Sequence, residues 1–462
     1  MTRPRLPVAS LAVALTALAA APVALAAGEG MVFENSHRQH VTKYEGTKTC
    51  LACHDKEART AHASIHYQWK AKAPSLVNAG DRAIGKINML NDFCTNPAIS
   101  WIARVQNADG KVIAKGCSAC HAGLGAKPEP EPTAAQLENV DCLICHFPAY
   151  RRDLADVEGG KLKWAPAMTP DELLLAAQNP QLPDSATCLR CHAGAGGGPN
   201  YKRGDLELAA LKSRAFDVHL GSSMTCLQCH KSKDHKFVGS GSQMAGADAP
   251  SGERCGTCHD GRTAHRDATL AKHLARVACT ACHVPTFAKD KPTDMHRDFS
   301  RSELVASEGK YEPAITFQKN VKPVLAWWNG KATVQLPDAP VKTGAGPVRF
   351  WMPEGSRADR DAKLYAFKLH TANLPVDSAT KRLIPVKVGI LFKTGKTDVA
   401  IAEGAKAAGM DVKQVEWVKS ERYMTVFHEV APKEAAVKCA ECHGGGRVDW
   451  KALGYPGDPR KK

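Results

Sequence analysis

The sequence predicts a mainly α fold with long irregular loops, organised around covalently bound cofactors rather than an all-protein core. Three observations carry this prediction. Sixteen of the 17 cysteines fall into eight copies of one motif, Cys-x-x-Cys-His. Random placement of 17 Cys and 19 His would give only about 0.03 copies, so the pattern has a chemical cause. Aromatic residues make up 6% of the 462-residue chain, a thin supply for a conventional core of that size. The spacing is that of covalent c-type haem attachment, in which two thiols form thioethers and the following His binds iron. A zinc ribbon or a redox dithiol needs no His directly after the second Cys.

In chain order, residues 1–27 read as a signal peptide. Arg3 and Arg5 form a positive start, an Ala-, Leu- and Val-rich stretch follows, and Ala24-Leu25-Ala26 fits a cleavage site. The mature protein is therefore expected in the periplasm, with no membrane contact after cleavage. Residues 28–300 form a haem-rich region with seven motifs. They are Cys50-Cys53-His54, Cys117-Cys120-His121, Cys142-Cys145-His146, Cys188-Cys191-His192, Cys226-Cys229-His230, Cys255-Cys258-His259 and Cys279-Cys282-His283. At about one haem per 35 residues, there is too little protein to enclose each group alone, so the haems are expected to touch. Residues 301–435 form a haem-poor segment, expected to pack on the haem core and to supply a distal ligand. Residues 436–462 hold the eighth motif, Cys439-Cys442-His443, and a tail. Without haem the chain is not expected to fold.

Local signals point to short helices. Residues 55–71, 267–278 and 433–440 contain good helix formers, and Thr169-Pro170-Asp171-Glu172 is a capping box that opens a helix to Gln178. Gly-rich runs at 194–198 and 444–446 follow haem motifs. Residues 301–400 are Pro-rich and read as irregular, with 386–392 the best candidate for a strand.

The formal charge of +15 does not argue for nucleic acid. Eight haems bring roughly sixteen propionate charges, which the basic excess offsets from within. Eleven histidines lie outside the motifs: His37, His40, His62, His66, His219, His235, His265, His273, His296, His370 and His428. They are numerous enough to close the sixth position of every iron, which suits electron transfer and blocks substrate. The count alone does not single out an open iron. Cys94 is the odd cysteine, readable as a small buried hydrophobe or as a reactive thiol.

The order of motifs and the segments between them resemble the octahaem tetrathionate reductase family of multihaem cytochromes c. The resemblance runs through Thr49-Cys50-Leu51-Ala52-Cys53-His54, Ile65-His66-Tyr67, Asn91-Asp92-Phe93-Cys94 and Asn139-Val140-Asp141-Cys142. It continues through Gly196-Gly197-Gly198-Pro199-Asn200-Tyr201-Lys202-Arg203-Gly204-Asp205-Leu206, Asp217-Val218-His219, Pro285-Thr286-Phe287-Ala288 and Leu453-Gly454-Tyr455-Pro456-Gly457-Asp458-Pro459. It implies seven bis-His haems and one catalytic haem, the second, with His121 proximal and Lys202 distal. The remaining distal ligands it implies are His37, His66, His219, His235, His265, His273 and His428. It places Cys94 in the catalytic pocket. The segment Met295-His296-Arg297-Asp298 departs from the aromatic-rich stretch expected there, which points to a different lining.

The expected function is a reductase of a sulfur or nitrogen oxyanion, such as tetrathionate, nitrite or hydroxylamine. Its expected electron donor is a redox partner protein or quinol-linked cytochrome. Two other readings stay open: a conduit with every iron saturated, and a hydroxylamine or hydrazine oxidoreductase. The second fits less well, because only a short tail follows His443 and lacks the extension of those enzymes.

Overall fold

The computed structural model describes residues 36–94, 96–193, 202–239, 255–260, 265–342, 344 and 346–461. The expected signal peptide, residues 1–27, and the glycine run at 194–198 lie outside the described residues. The N-terminal part is a succession of short helices and hairpins, with the attachment cysteines on or beside short helical turns. Helix α1 (Thr47–Ala63) contains the first motif and kinks at His54. It begins and ends earlier than expected; a separate turn, Ile65–Gln68, follows and stops at Trp69, whose φ is +54°. Helix α2 (Pro170–Gln178) has the predicted capping box. The Glu172 amide donates to the Thr169 hydroxyl at 3.2 Å, and the Thr169 amide donates to the Glu172 carboxylate at 2.8 Å. Helix α3 (Ser185–His192) carries the fourth motif. Helix α4 (Ala268–His273) is capped by the Asp267 carboxylate, which accepts from the Thr269 and Leu270 amides at 2.9 Å. The helix expected over 433–440 is two separate turns, Lys433–Ala435 and Cys439–Cys442.

The expectation of a mainly α chain is corrected by a seven-stranded mixed sheet between residues 293 and 425. Its strands are β1 (Thr293–Val305), β2 (Lys310–Gln318), β3 (Val324–Trp328), β4 (Ala332–Val334), β5 (Val348–Pro353), β6 (Lys363–Asp377) and β7 (Val415–Thr425). The order is β2-β1-β6-β7-β5-β4, with β3 on the same edge of β6 as β1. Prolines misdirect the sequence reading here. Pro313 sits where the β1–β2 register shifts, a bulge that tolerates the missing amide, and Pro375 lies opposite Trp417 near the end of β6. The supposed strand at 386–392 is helix α5 (Val388–Thr394). Val388 and Leu391 are buried one turn apart, and Gly395 ends the helix at φ +68° with its amide on the Leu391 carbonyl. Helix α6 (Thr397–Ala407) follows.

These elements give the haem-poor segment an ordinary hydrophobic core, which the sequence reading did not foresee. Phe299, Phe350, Leu374, Leu391 and Ile401 fill the space between the sheet and α5–α6, and Trp328, Trp351 and Phe367 pack with Met89 on another cluster. Along β6 the even-numbered residues point inward. They are Leu364, Ala366, Lys368, His370, Ala372, Leu374 and Val376, apolar but for two.

The second polar residue ties the sheet to the N-terminal part. His370 lies opposite Arg422 on β7, and Asp92 bridges them, at 2.8 Å from His370 Nδ1 and 2.6 Å from Arg422 Nε. His370 Nε2 is 3.3 Å from Asp294, which pairs with Arg297 at 2.5 Å. Burial works to raise the Asp92 pKa, but Arg422 and His370 outweigh it and hold the carboxyl well below the usual range. Its contribution to stability is therefore complete above the ordinary carboxylate pKa and is lost as pH falls through the lowered one. Asp92→Ala leaves Arg422 uncompensated and is expected to cost about 3–5 kcal/mol. Denaturant midpoints of haem-loaded protein at neutral pH measure this, and a loss below about 1 kcal/mol contradicts it.

Candidate haem sites and the second-site pocket

Seven of the eight motif histidines face a histidine from outside the motifs. The ring centroids are 5.8 Å apart for His54 and His37, 6.1 Å for His192 and His66, and 6.2 Å for His146 and His235. They are 6.0 Å apart for His259 and His219, 6.3 Å for His230 and His428, 6.1 Å for His283 and His265, and 6.3 Å for His443 and His273. Two imidazoles bound on opposite sides of a first-row metal, at about 2.0–2.1 Å per nitrogen, put their centroids roughly 6.3 Å apart. Each centroid separation is compatible with one iron between the two rings.

The rings are aimed from behind. Nδ1 of His146, His230 and His273 donates to the carbonyls of Gln181, Val238 and Thr269 at 2.9, 3.0 and 2.8 Å. Nδ1 of His443 and His428 donates to the carboxylates of Asp458 and Asp205 at 2.7 and 3.1 Å. His235 Nδ1 meets the Thr60 hydroxyl at 2.8 Å. Such bonds fix the tautomer and leave Nε2 for a metal. Burial pushes the His192 and His121 rings down to about 3, so both are neutral, as a ligand requires.

The attachment sites adjoin one another. Thiols from different motifs come within hydrogen-bond reach at Cys50–Cys142, Cys120–Cys191, Cys188–Cys226 and Cys255–Cys279. Cys145 lies near Cys188, Cys229 near Cys255, and Cys282 near Cys442. The sites thus form a series running first, third, fourth, fifth, sixth, seventh and eighth, with the second attached to the fourth. The remaining attachment cysteines, Cys53, Cys117, Cys258 and Cys439, are placed by the same short turns.

His121 differs. Among the described residues no second histidine faces it. Its ring, fully buried, lies among Tyr67, Trp69 and Trp101 at centroid distances of 4.9, 5.4 and 4.9 Å. Nε2 meets the Tyr67 carbonyl at 2.6 Å, and Nδ1 is buried without a partner. Gly123 approaches so closely that a Cβ would stand 2.6 Å from the ring. Arg152 pins the motif by donating to the carbonyls of Ala119 and His121 at 3.1 and 2.7 Å, while pairing with buried Asp141 at 2.7 Å.

Lys202 and Cys94 come together beside this motif. Burial lowers the pKa of the Lys202 amine, Lys86 and Arg297 lower it further, and the thiols of Cys94 and Cys117 oppose them. The amine is 5.7 Å from the centre of the Phe93 ring. Gly204 turns the chain after Lys202 at φ +85°, where a Cβ would meet the Phe287 ring at 2.8 Å. Sequence reasoning missed Lys86, Trp69 and Trp101, none of which belongs to a motif, whereas Arg297 lies in the 295–298 segment whose departure pointed to a different lining. Of the four surplus histidines, His62 packs on Tyr67, His296 meets the Thr371 hydroxyl, and His370 belongs to the Asp92 network.

Repeated attachment motifs and paired histidines define a c-type cytochrome with several haems, and the comparisons agree. Residues 288–446 match the family "Cytochrome c bacterial", and residues 212–284 match "Cytochrome c7 and related cytochrome c". An uncharacterized protein of Archaeoglobus fulgidus is 30% identical over 274 residues, 49% of this chain and 90% of that protein. The crystal structure of an octaheme cytochrome c from Shewanella oneidensis superposes with a TM-score of 0.71 and 29% identity, covering 90% of this chain and 94% of that one. This chain belongs to the multihaem c-type cytochromes, and its cofactor is covalently bound haem c. No helix among the described residues is long and apolar enough to cross a membrane.

Asp205→Asn weakens the bond that aims His428. The expected outcome is about 10–100-fold weaker His428 ligation, read as one altered low-spin EPR signal in protein of unchanged haem content. An unchanged set of signals contradicts it.

Proposed function

We propose that this protein is an exported, periplasmic octahaem cytochrome c reductase. It would carry eight haem c groups, seven held by the histidine pairs and the second by His121 and Lys202, with His121 Nε2 giving up the Tyr67 carbonyl to bind the iron. At the second site it reduces a sulfur or nitrogen oxyanion or a neutral nitrogen–oxygen compound such as hydroxylamine, with tetrathionate, nitrite and hydroxylamine as the substrates to test. The observation that supports this reading is the asymmetry of the second site: His121 lacks a facing histidine, and the Lys202 amine and Cys94 thiol gather at Cys117 instead.

Haem iron, when bound there, supplies a Lewis acid and the reducing electrons. The chain's own residues supply the field and the protons. Lys86 and Arg297 give the pocket a positive potential that attracts an anion. Lys202, its pKa lowered by burial, holds its amine neutral more readily than an exposed lysine and so can ligate. Once displaced and protonated, its Nζ donates a hydrogen bond to the bound oxyanion and can deliver a proton. Trp69 and Trp101 hold the His121 ring and keep water from its inner face. A redox partner protein or quinol-linked cytochrome delivers electrons, and the adjoining attachment sites give them a route.

Lysine ligation competes with protonation, so the sign of its pH dependence is fixed. Lowering the pH releases Lys202 and raises the high-spin fraction. Absorption and EPR across the titration check this, together with cyanide or nitrite additions, to which one haem responds. Lys202→Ala is expected to make that haem high-spin at every pH and to alter turnover of the anions with reduced viologen. If no haem in the parent protein responds to any ligand, the protein is a conduit instead.

A further inference from the structure

We propose that Lys368 is the positioning residue for Lys202, so that the haem-poor sheet sets the distal side of the second haem site. The inference rests on reading Lys202 as that site's ligand. Lys202 belongs to no helix or strand, so something else has to fix it. Lys368 Nζ donates to the Lys202 carbonyl at 2.5 Å and to the Thr293 hydroxyl on β1 at 2.6 Å. The neighbouring contacts of this segment act beyond Lys202. Arg203 pairs with Asp205 at 3.0 Å, and the Ala288 amide donates to the Gly204 carbonyl at 2.7 Å. Only the Lys368 bond holds the Lys202 main chain itself to the sheet among the described contacts.

The position is an expensive one for an amine. Lys368 is 1% exposed and stands in the inward phase of β6, where its neighbours in that phase are Ala366 and His370. Burial brings its pKa down to about 7, with Asp294 and Asp205 opposing the fall. Two neutral oxygens hold it, and an apolar side chain of similar length would avoid the desolvation. An amine buried at this desolvation cost, gripping the residue that carries the ligand, is explained by what it grips.

The same strand fixes the other wall. His370 stacks on Phe93 at 3.7 Å, and Arg297 donates to the Phe93 carbonyl, which positions the adjoining Cys94. Lys368 Nζ stands 5.5 Å from the centre of the Phe93 ring and Lys202 Nζ 5.7 Å, so one ring spaces both amines. Strand β6 thereby reaches Lys202 through Lys368 and Cys94 through His370.

Fully haem-loaded Lys368→Met, Thr293→Val and Lys202→Ala proteins test the proposal. Cyanide titration and the EPR signal of the responding haem are the readouts. Lys368→Met is expected to keep the parent haem content, to change the responding haem's EPR signal and to bind cyanide about tenfold or more tightly, because the competing amine is no longer held. Thr293→Val removes one acceptor and is expected to move cyanide affinity in the same direction by about threefold. If Lys368→Met does not load haem, Thr293→Val decides, and parent-like affinity and spectrum overturn the proposal. A parent-like Lys368→Met beside an altered Lys202→Ala overturns the positioning role alone. A parent-like Lys202→Ala overturns the ligand reading and the positioning role together.

Discussion

The spacing of opposed imidazoles constrains nearly everything else in this molecule. A metal between two nitrogens fixes their separation to within a fraction of an ångström, and each ring must also be aimed along the shared axis. Seven pairs have the spacing this requires, with centroids between 5.8 and 6.3 Å. Their partners are often far apart in sequence: His66 from the segment after α1 meets His192 at the end of α3, and His428 from beyond β7 meets His230. On the proposed ligation, the loops of the haem-rich region can be irregular because metal bonds, rather than secondary structure, would hold their ends together.

The sheet solves a different problem. If the Lys202 amine is a ligand, as proposed, a central strand of a packed sheet can hold it in place where short loops cannot. The haem-poor segment provides that rigidity, and its buried ions are placed where it meets the N-terminal part. Asp92 joins the segment containing Cys94 to β6 and β7, and Asp205 joins the segment containing Lys202 to His428. These carboxylates are buried, but each accepts bonds from a guanidinium and an imidazole, so desolvation is offset by close partners.

Covalent attachment was legible from the sequence because Cys-x-x-Cys-His states its chemistry within five residues. The pool of distal histidines was legible as a count, but which meets which was not, because that depends on tertiary approach. The sheet could have been read from β6. Leu364, Ala366, Ala372, Leu374 and Val376 keep a strict alternation that nearby prolines obscured. Lys368 and His370 break the apolar phase of that alternation, and this was the one available signal that β6 does more than fill a core. Lys86 carried no such mark, since its role depends on chain segments brought together only by folding.

Counting the haems and their ligand types in one preparation tests the account most directly. Pyridine haemochrome and iron analysis per polypeptide, combined with quantitative EPR, should give eight haems, seven of them bis-His and one distinct. A properly matured protein with well under eight haems, or with all eight sites bis-His, would contradict the account.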